Sequence, residues 1–198
     1  MAHIDYFMIT LSPFAYLAGN QLEEIAAKHG AEITYKPFNL IKVFEEHGTA
    51  LPAKRHPSRQ AYRLQELARA SRQTGLSVNA QPAYWPTNPV PSCSAIIAAQ
   101  NAGGGDLGGL THALLRACWA EEKDISQDDV VIACLEANGF DGGLLNSGML
   151  SGAETYGANT EEALKRGVFG SPFYIVDEQL FWGHDRLAAL DDFLSEES

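Results

Sequence analysis

Within its first 38 residues the chain spells strand, helix and strand with almost nothing between them. The run "HIDYFMI" (3–9) is short and apolar, as a buried strand must be. Ser12-Pro13 follows, the serine suited to an N-cap and the proline to a first helical turn, where its missing N–H costs nothing. Phe14, Leu17, Ala18, Leu22, Ile25 and Ala26 then recur at helical spacing, predicting one helix from Phe14 to His29 that Gly30 ends with a left-handed stop. "AEITYKPF" (31–38) alternates and is β-rich. Connections this short imply a parallel strand pair joined by a right-handed crossover.

After Phe38 the pattern turns helical for more than a hundred residues. "HPSRQAYRLQELARASRQTG" predicts a helix begun near Pro57 and closed at Gly75. "QPAYWPTNPVPS" (81–92) holds four prolines and reads as an extended loop. Further helical segments are expected near 93–102, 107–121, 126–138 (with Ser126 as N-cap) and 159–166. The last forty residues return to β character: "SPFYIVDEQLFWG" reads as a hairpin around Asp177-Glu178, and a final helix runs from about His184 to Leu194. The order is βαβ, a helical block, then ββα. That is the thioredoxin-like α/β plan with a large all-helical insertion. The expected division is residues 1–40 plus 167–198 for the thioredoxin-like domain and 41–166 for the insertion.

Charge narrows the partners. Residues 1–99 carry nine Lys/Arg against seven Asp/Glu, whereas residues 100–198 carry five against eighteen. So acidic a second half argues against nucleic acid, which needs clustered cations. No apolar run approaches the ~20 residues that span a bilayer, and no basic segment precedes an apolar one at the start. Cys93, Cys118 and Cys134 form no C-x-x-C and no zinc spacing. They read as reduced structural residues, and the expected location is cytoplasmic.

Two stretches carry candidate chemistry. Ser12 stands where a strand hands over to a helix. Its hydroxyl caps that helix on the plain reading; on the other it donates to a thiolate or oxyanion beside free N–H groups. Ser171-Pro172 precedes a strand, where a cis peptide turns the backbone toward a ligand and leaves a peptide edge for pairing. His184, Asp185 and Arg186 open the last helix and are suited either to capping or to holding an ammonium and a carboxylate. Tyr84, Trp85 and Asn88 in the proline-rich loop are suited to packing or to covering a flat substrate.

"DYFMITLSPFAYLAG", with "LLRACWAEEKDIS" and "NTEEALKRGVFGSPFYIVDEQLFWGHDRL", resembles the 2-hydroxychromene-2-carboxylate isomerases. These are close to the kappa-class glutathione transferases, within the DsbA-like thioredoxin group. The likeness spans nearly the whole chain. It implies glutathione as cofactor, a small aromatic carboxylate as substrate and a homodimer. It further implies Ser12 as the catalytic group favouring the glutathione thiolate, with Pro13 and Phe14 beside it. Ser171-Pro172 would read the tripeptide's cysteine, and His184, Asp185 and Arg186 its γ-glutamyl end. Arg59 matches a family lysine and would hold a glycyl or substrate carboxylate. Ala15 replaces a second serine, and His184 a serine of the kappa relatives. Without a cysteine near Ser12, dithiol exchange is excluded. A kappa-like transferase and a non-catalytic binding module are the alternatives.

Overall fold

The computed structural model describes residues 1–196. Its sheet has four strands: β1 (His3–Met8), β2 (Glu32–Pro37), β3 (Phe173–Val176) and β4 (Gln179–Trp182). Their order is β2-β1-β3-β4, with β1 parallel to β2 and antiparallel to β3, and β3 antiparallel to β4. The two ends of the chain therefore share one sheet, as the thioredoxin-like plan requires. Among the described residues, no helix is long and apolar enough to cross a membrane.

From Tyr6 to Met8, β1 is apolar and buried on both sides because both faces of the sheet are covered. Ile4, Tyr6, Met8, Tyr174 and Val176 point into the larger core, while Phe7, Phe173 and Ile175 pack with Phe38, Val43 and Val168 on the other face. The alternation is strict, so a one-residue slip would exchange the two cores.

Between β1 and β2 the helix predicted from Phe14 to His29 is two: α1 (Pro13–Leu17) and α2 (Gln21–His29). Gly19, at φ +60°, breaks the run, and its N–H closes on the Tyr16 carbonyl. Gly30 ends α2 in the left-handed conformation, as its sequence position suggests.

The remaining helices are α3 (Leu40–Glu46), α4 (Pro57–Thr74), α5 (Val90–Ala102), α6 (Leu107–Trp119), α7 (Asp128–Ala137), α8 (Leu144–Ser147), α9 (Met149–Lys165) and α10 (Leu187–Glu196). α4 follows the pattern to the residue, stopping at a left-handed Gly75. α3 and α8 are too short for periodicity to reveal. α5 starts inside the proline-rich stretch, because Pro91 sits in its first turn, where no N–H is needed. α9 begins ten residues before the expected helix; Gly152 and Gly157 hide its first half. Ser126 is not the cap of α7. Gln127 holds that position, while the Ser126 N–H bonds Asp124 Oδ1 in the preceding turn. At the end of the chain, His184–Arg186 form a 3-10 turn and α10 starts only at Leu187.

Candidate active site

The site gathers where β1 ends and β3 begins, because antiparallel pairing brings residues 9–12 beside 171–172. Ser12 has extended backbone (φ −92°, ψ 115°) at the N-cap of α1, and is only 6% exposed. Its Oγ accepts the Ala15 N–H at 3.2 Å and donates to the Ser171 carbonyl at 2.8 Å. In return the Ser171 Oγ accepts the Ile9 N–H at 3.1 Å. The Ser171–Pro172 peptide is cis, and the Pro172 carbonyl accepts the Gly183 N–H at 3.0 Å. The Ser171 N–H itself has no acceptor among the described residues. Capping and tertiary contact are thus both present in one hydroxyl.

On one side of Ser12 the Phe14 ring stacks on His184, centroids 5.2 Å apart and planes 22° from parallel. Burial holds the His184 imidazole below its ordinary range, against the opposing charges of Asp185 and of Glu66 on α4. His184 is therefore a neutral, half-buried ring at neutral pH. Asp185 and Arg186 are exposed and pair with each other at 2.9 Å.

On the other side the Trp85 indole N–H donates to the Leu11 carbonyl at 3.1 Å. Its ring meets Trp119 at 5.6 Å, and the Trp85–Pro86 peptide is also cis. Thr10 and Ser92 hydroxyls bond at 2.8 Å, tying the start of α5 to the same turn. Tyr84 is largely exposed. The Asn88 side chain accepts the Val90 N–H at 3.1 Å, a local turn at the start of α5.

The arginines sort differently from their sequence spacing. Arg55 lies before α4, in a turn, so Arg55, Arg59 and Arg63 do not share one helix face. Arg59 is exposed, whereas Arg63 is half-buried with its guanidinium 5.3 Å over the Trp85 ring. Sequence reasoning did not single out Arg63. The signal was there: Arg63, Leu67 and Ala70 fall at i, i+4 and i+7, and the latter two are core residues.

Sulfur chemistry of the protein's own is absent from this corner. Cys93 is buried, 3.6 Å from Thr10 Oγ1, and burial pushes its thiol up to about 11. Burial likewise lifts Cys118 to about 12 and raises Cys134. Among the described residues no group of His, Cys, Asp or Glu could hold a metal ion.

The family model described as a DSBA-like thioredoxin domain matches residues 3–195. The chain belongs to the DsbA-like thioredoxin family. It is 29% identical to the curated 2-hydroxychromene-2-carboxylate isomerase of Sphingobium xenophagum, over 96% of this chain and 97% of that protein. Among solved structures it matches 2-hydroxychromene-2-carboxylate isomerase at TM-score 0.79 and 23% identity, covering 98% of this chain and 95% of that one. It also matches the cytosolic disulfide reductase DsbM from Pseudomonas aeruginosa with GSH, at TM-score 0.67 and 15% identity, covering 98% and 96%. Set in this DsbA-like frame, the residue opening α1 is Ser12, and all three cysteines lie elsewhere.

Proposed function

We propose that this protein is a glutathione-dependent isomerase of a 2-hydroxychromene-2-carboxylate-type substrate. One observation carries the reading most directly: a buried serine hydroxyl, not a thiol, faces the cis-proline peptide in a DsbA-like fold. The end-to-end likeness to the Sphingobium isomerase supports the reaction class, and the fold shared with a glutathione-bound reductase structure supports the cofactor.

The residues present fit a glutathione molecule. Ser171 offers a carbonyl together with an N–H that lacks an internal acceptor, the donor–acceptor pair that an extended peptide edge takes up. Glutathione, when bound, supplies a soft thiolate able to add to and leave a conjugated carbon, which frees the adjoining bond to rotate. The protein's contribution is orientation and charge stabilisation. The Ser12 hydroxyl turns from the Ser171 carbonyl to donate toward anionic sulfur, while Ala15 N–H remains its helical partner. α1 is only five residues long, Pro13 has no N–H and the Ala15 N–H is taken, so backbone stabilisation there comes from the Phe14 N–H rather than from a long helix dipole. Phe14, stacked on the neutral His184, forms one wall beside the sulfur.

The test compares wild type with Ser12→Ala. Glutathione is titrated by calorimetry, the thiolate absorbance is followed over pH, and equilibration of 2-hydroxychromene-2-carboxylate is timed. Wild type should bind glutathione and lower its thiol pKa. The variant should lose about 10²-fold in turnover, the usual effect of removing one donor to a developing anion. Unchanged turnover, or no binding by wild type, would overturn the reading. Accumulation of a glutathione conjugate in place of isomer would reassign the protein to transferase chemistry.

A further inference from the structure

A cleft of about 170 Å³ opens between the start of α4 and the proline-rich loop, with Pro52, Gln60, Arg63, Leu64 and Trp85 in its walls. It borders the candidate active site, because the same Trp85 hydrogen-bonds the residue before Ser12. Arg63 reaches it from the inward stripe of α4, its guanidinium over the indole. Arg55 stands behind, its Nε donating to the Ala50 carbonyl at 3.0 Å and its guanidinium 5.6 Å over the Phe44 ring. Gln60 fixes this turn to α4 by donating to the Ala53 and Arg55 carbonyls, at 3.1 and 2.7 Å.

What these cations lack is an anion. The chain carries a net charge of −11, yet among the described residues no carboxylate forms an ion pair with Arg55, Arg59 or Arg63. Glu66, one turn along α4, is engaged instead by Arg69. Burial, and then repulsion from Arg55, holds the Arg63 guanidinium below its ordinary range. Burial and then Arg59 do the same to Arg55. A half-buried guanidinium with no ion-pair partner costs stability unless a ligand brings negative charge to it. A guanidinium's planar fork matches a carboxylate best.

We propose that Arg63, backed by Arg55, is the carboxylate-binding subsite of this cleft, beside the Trp85 ring. The inference deepens the isomerase reading and rests on it for its choice of ligands. Two carboxylates have the required chemistry: that of the flat aromatic substrate and the glycyl carboxylate of glutathione. Exposed Arg59, the position matched by resemblance, is at most an outlying charge.

The experiment measures discrimination between acid and ester by Trp fluorescence and calorimetry, with no turnover required. One arm titrates 2-oxo-4-phenylbut-3-enoate and its methyl ester in the absence of glutathione; the other titrates glutathione and its glycyl ethyl ester. Proteins are wild type, Arg63→Gln, Arg63→Lys and the exposed Arg72→Gln as a charge control. In one arm wild type should prefer the acid by about tenfold or more, the effect of one charged hydrogen-bonded pair. Arg63→Gln should collapse that preference towards unity and Arg72→Gln should keep it. The arm that responds names the source, and a response in either supports the subsite. Should Arg63→Gln fail to fold by circular dichroism, Arg63→Lys, which keeps charge but not the fork, gives the same readout with a partial loss. Equal ratios in Arg63→Gln and wild type, or no preference by wild type in either arm, would overturn the subsite. Acid discrimination without any glutathione binding would leave the subsite standing and remove the proposed function.

Discussion

A hydroxyl has one hydrogen to give, and that of Ser12 is directed at the Ser171 carbonyl. Its capping role was readable from the Ser-Pro pair, since caps are local. The bond to Ser171 joins residues 159 positions apart, and nothing in either local pattern records it. The same limit applies to Glu23, which local pattern shows only as a polar residue within the first helical run. In the fold the Tyr35 hydroxyl donates to its Oε1 at 2.5 Å while Oε2 is buried without a partner. Burial raises its pKa above 4.5, a rise that the Tyr35 hydrogen bond only partly counters. A carboxyl raised in the folded state binds its proton more tightly there. Its favourable contribution is therefore complete below 4.5 and declines as pH rises through the folded value. Glu23→Gln should flatten the fall in melting temperature between pH 4.5 and 8; an unchanged slope would show that Glu23 does not titrate within that window. Gly170 makes a second prediction at this scale. A Cβ there would lie 2.1 Å from the Trp182 indole nitrogen. Gly170→Ala should displace that ring and destabilise by about 1–3 kcal/mol in urea denaturation, as overpacking does; unchanged stability would mean that the ring moves aside at no cost.

Elements were legible where burial is one-sided. α4 has a polar face and an apolar stripe, and its two ends follow from Pro57 and Gly75. α5 is different: Ser92 through Ala99 are all buried, so its burial has no one-sided period to detect. α9 escaped for the opposite reason, since its glycines look like breakers. They are contact points. A Cβ on Gly148, at the N-cap of α9, would sit 2.4 Å from the Ala98 Cβ of α5 and 2.9 Å from the Leu144 carbonyl. One on Gly152 would meet Ser94 Cβ at 2.9 Å. The two helices approach through small residues, and a methyl group forces them apart. Gly148→Ala should cost about 1–3 kcal/mol in urea denaturation. Adding Ala98→Gly should recover part of it, because that atom is the nearest obstacle. Strictly additive losses would mean that the helices do not meet at this point.

At the scale of the molecule, the sequence order βαβ, helices, ββα was enough to bring the chain ends into one sheet, because short connections and handedness leave few topologies. How the long helical run lies against that sheet was not legible, since its anchors are pairs of distant charges. Asp5 on β1 bonds Arg166 at 2.5 Å and faces Lys36 of β2 at 3.3 Å. Glu162 of α9 closes the cluster, 2.7 Å from Lys36 and 2.8 Å from Arg166. Four residues from three regions thereby fasten the last helix of the block to β1 and β2. Burial alone would lift the Asp5 carboxyl, but the Arg166 hydrogen bond and the charge of Lys36 outweigh it and hold it below 3.8. A carboxyl depressed in the folded state stabilises above its ordinary value, and that stabilisation is lost as pH falls through the folded value. Asp5→Asn should thus cost about 1–3 kcal/mol at pH 7, the range for hydrogen bonds to charged groups. The gap from wild type should narrow steadily below pH 4 as the native carboxyl takes up its proton. Urea titrations at pH 7 and pH 3 decide it: a gap as wide at pH 3 as at pH 7 would mean that Asp5 acts through its shape in the strand and not through its charge.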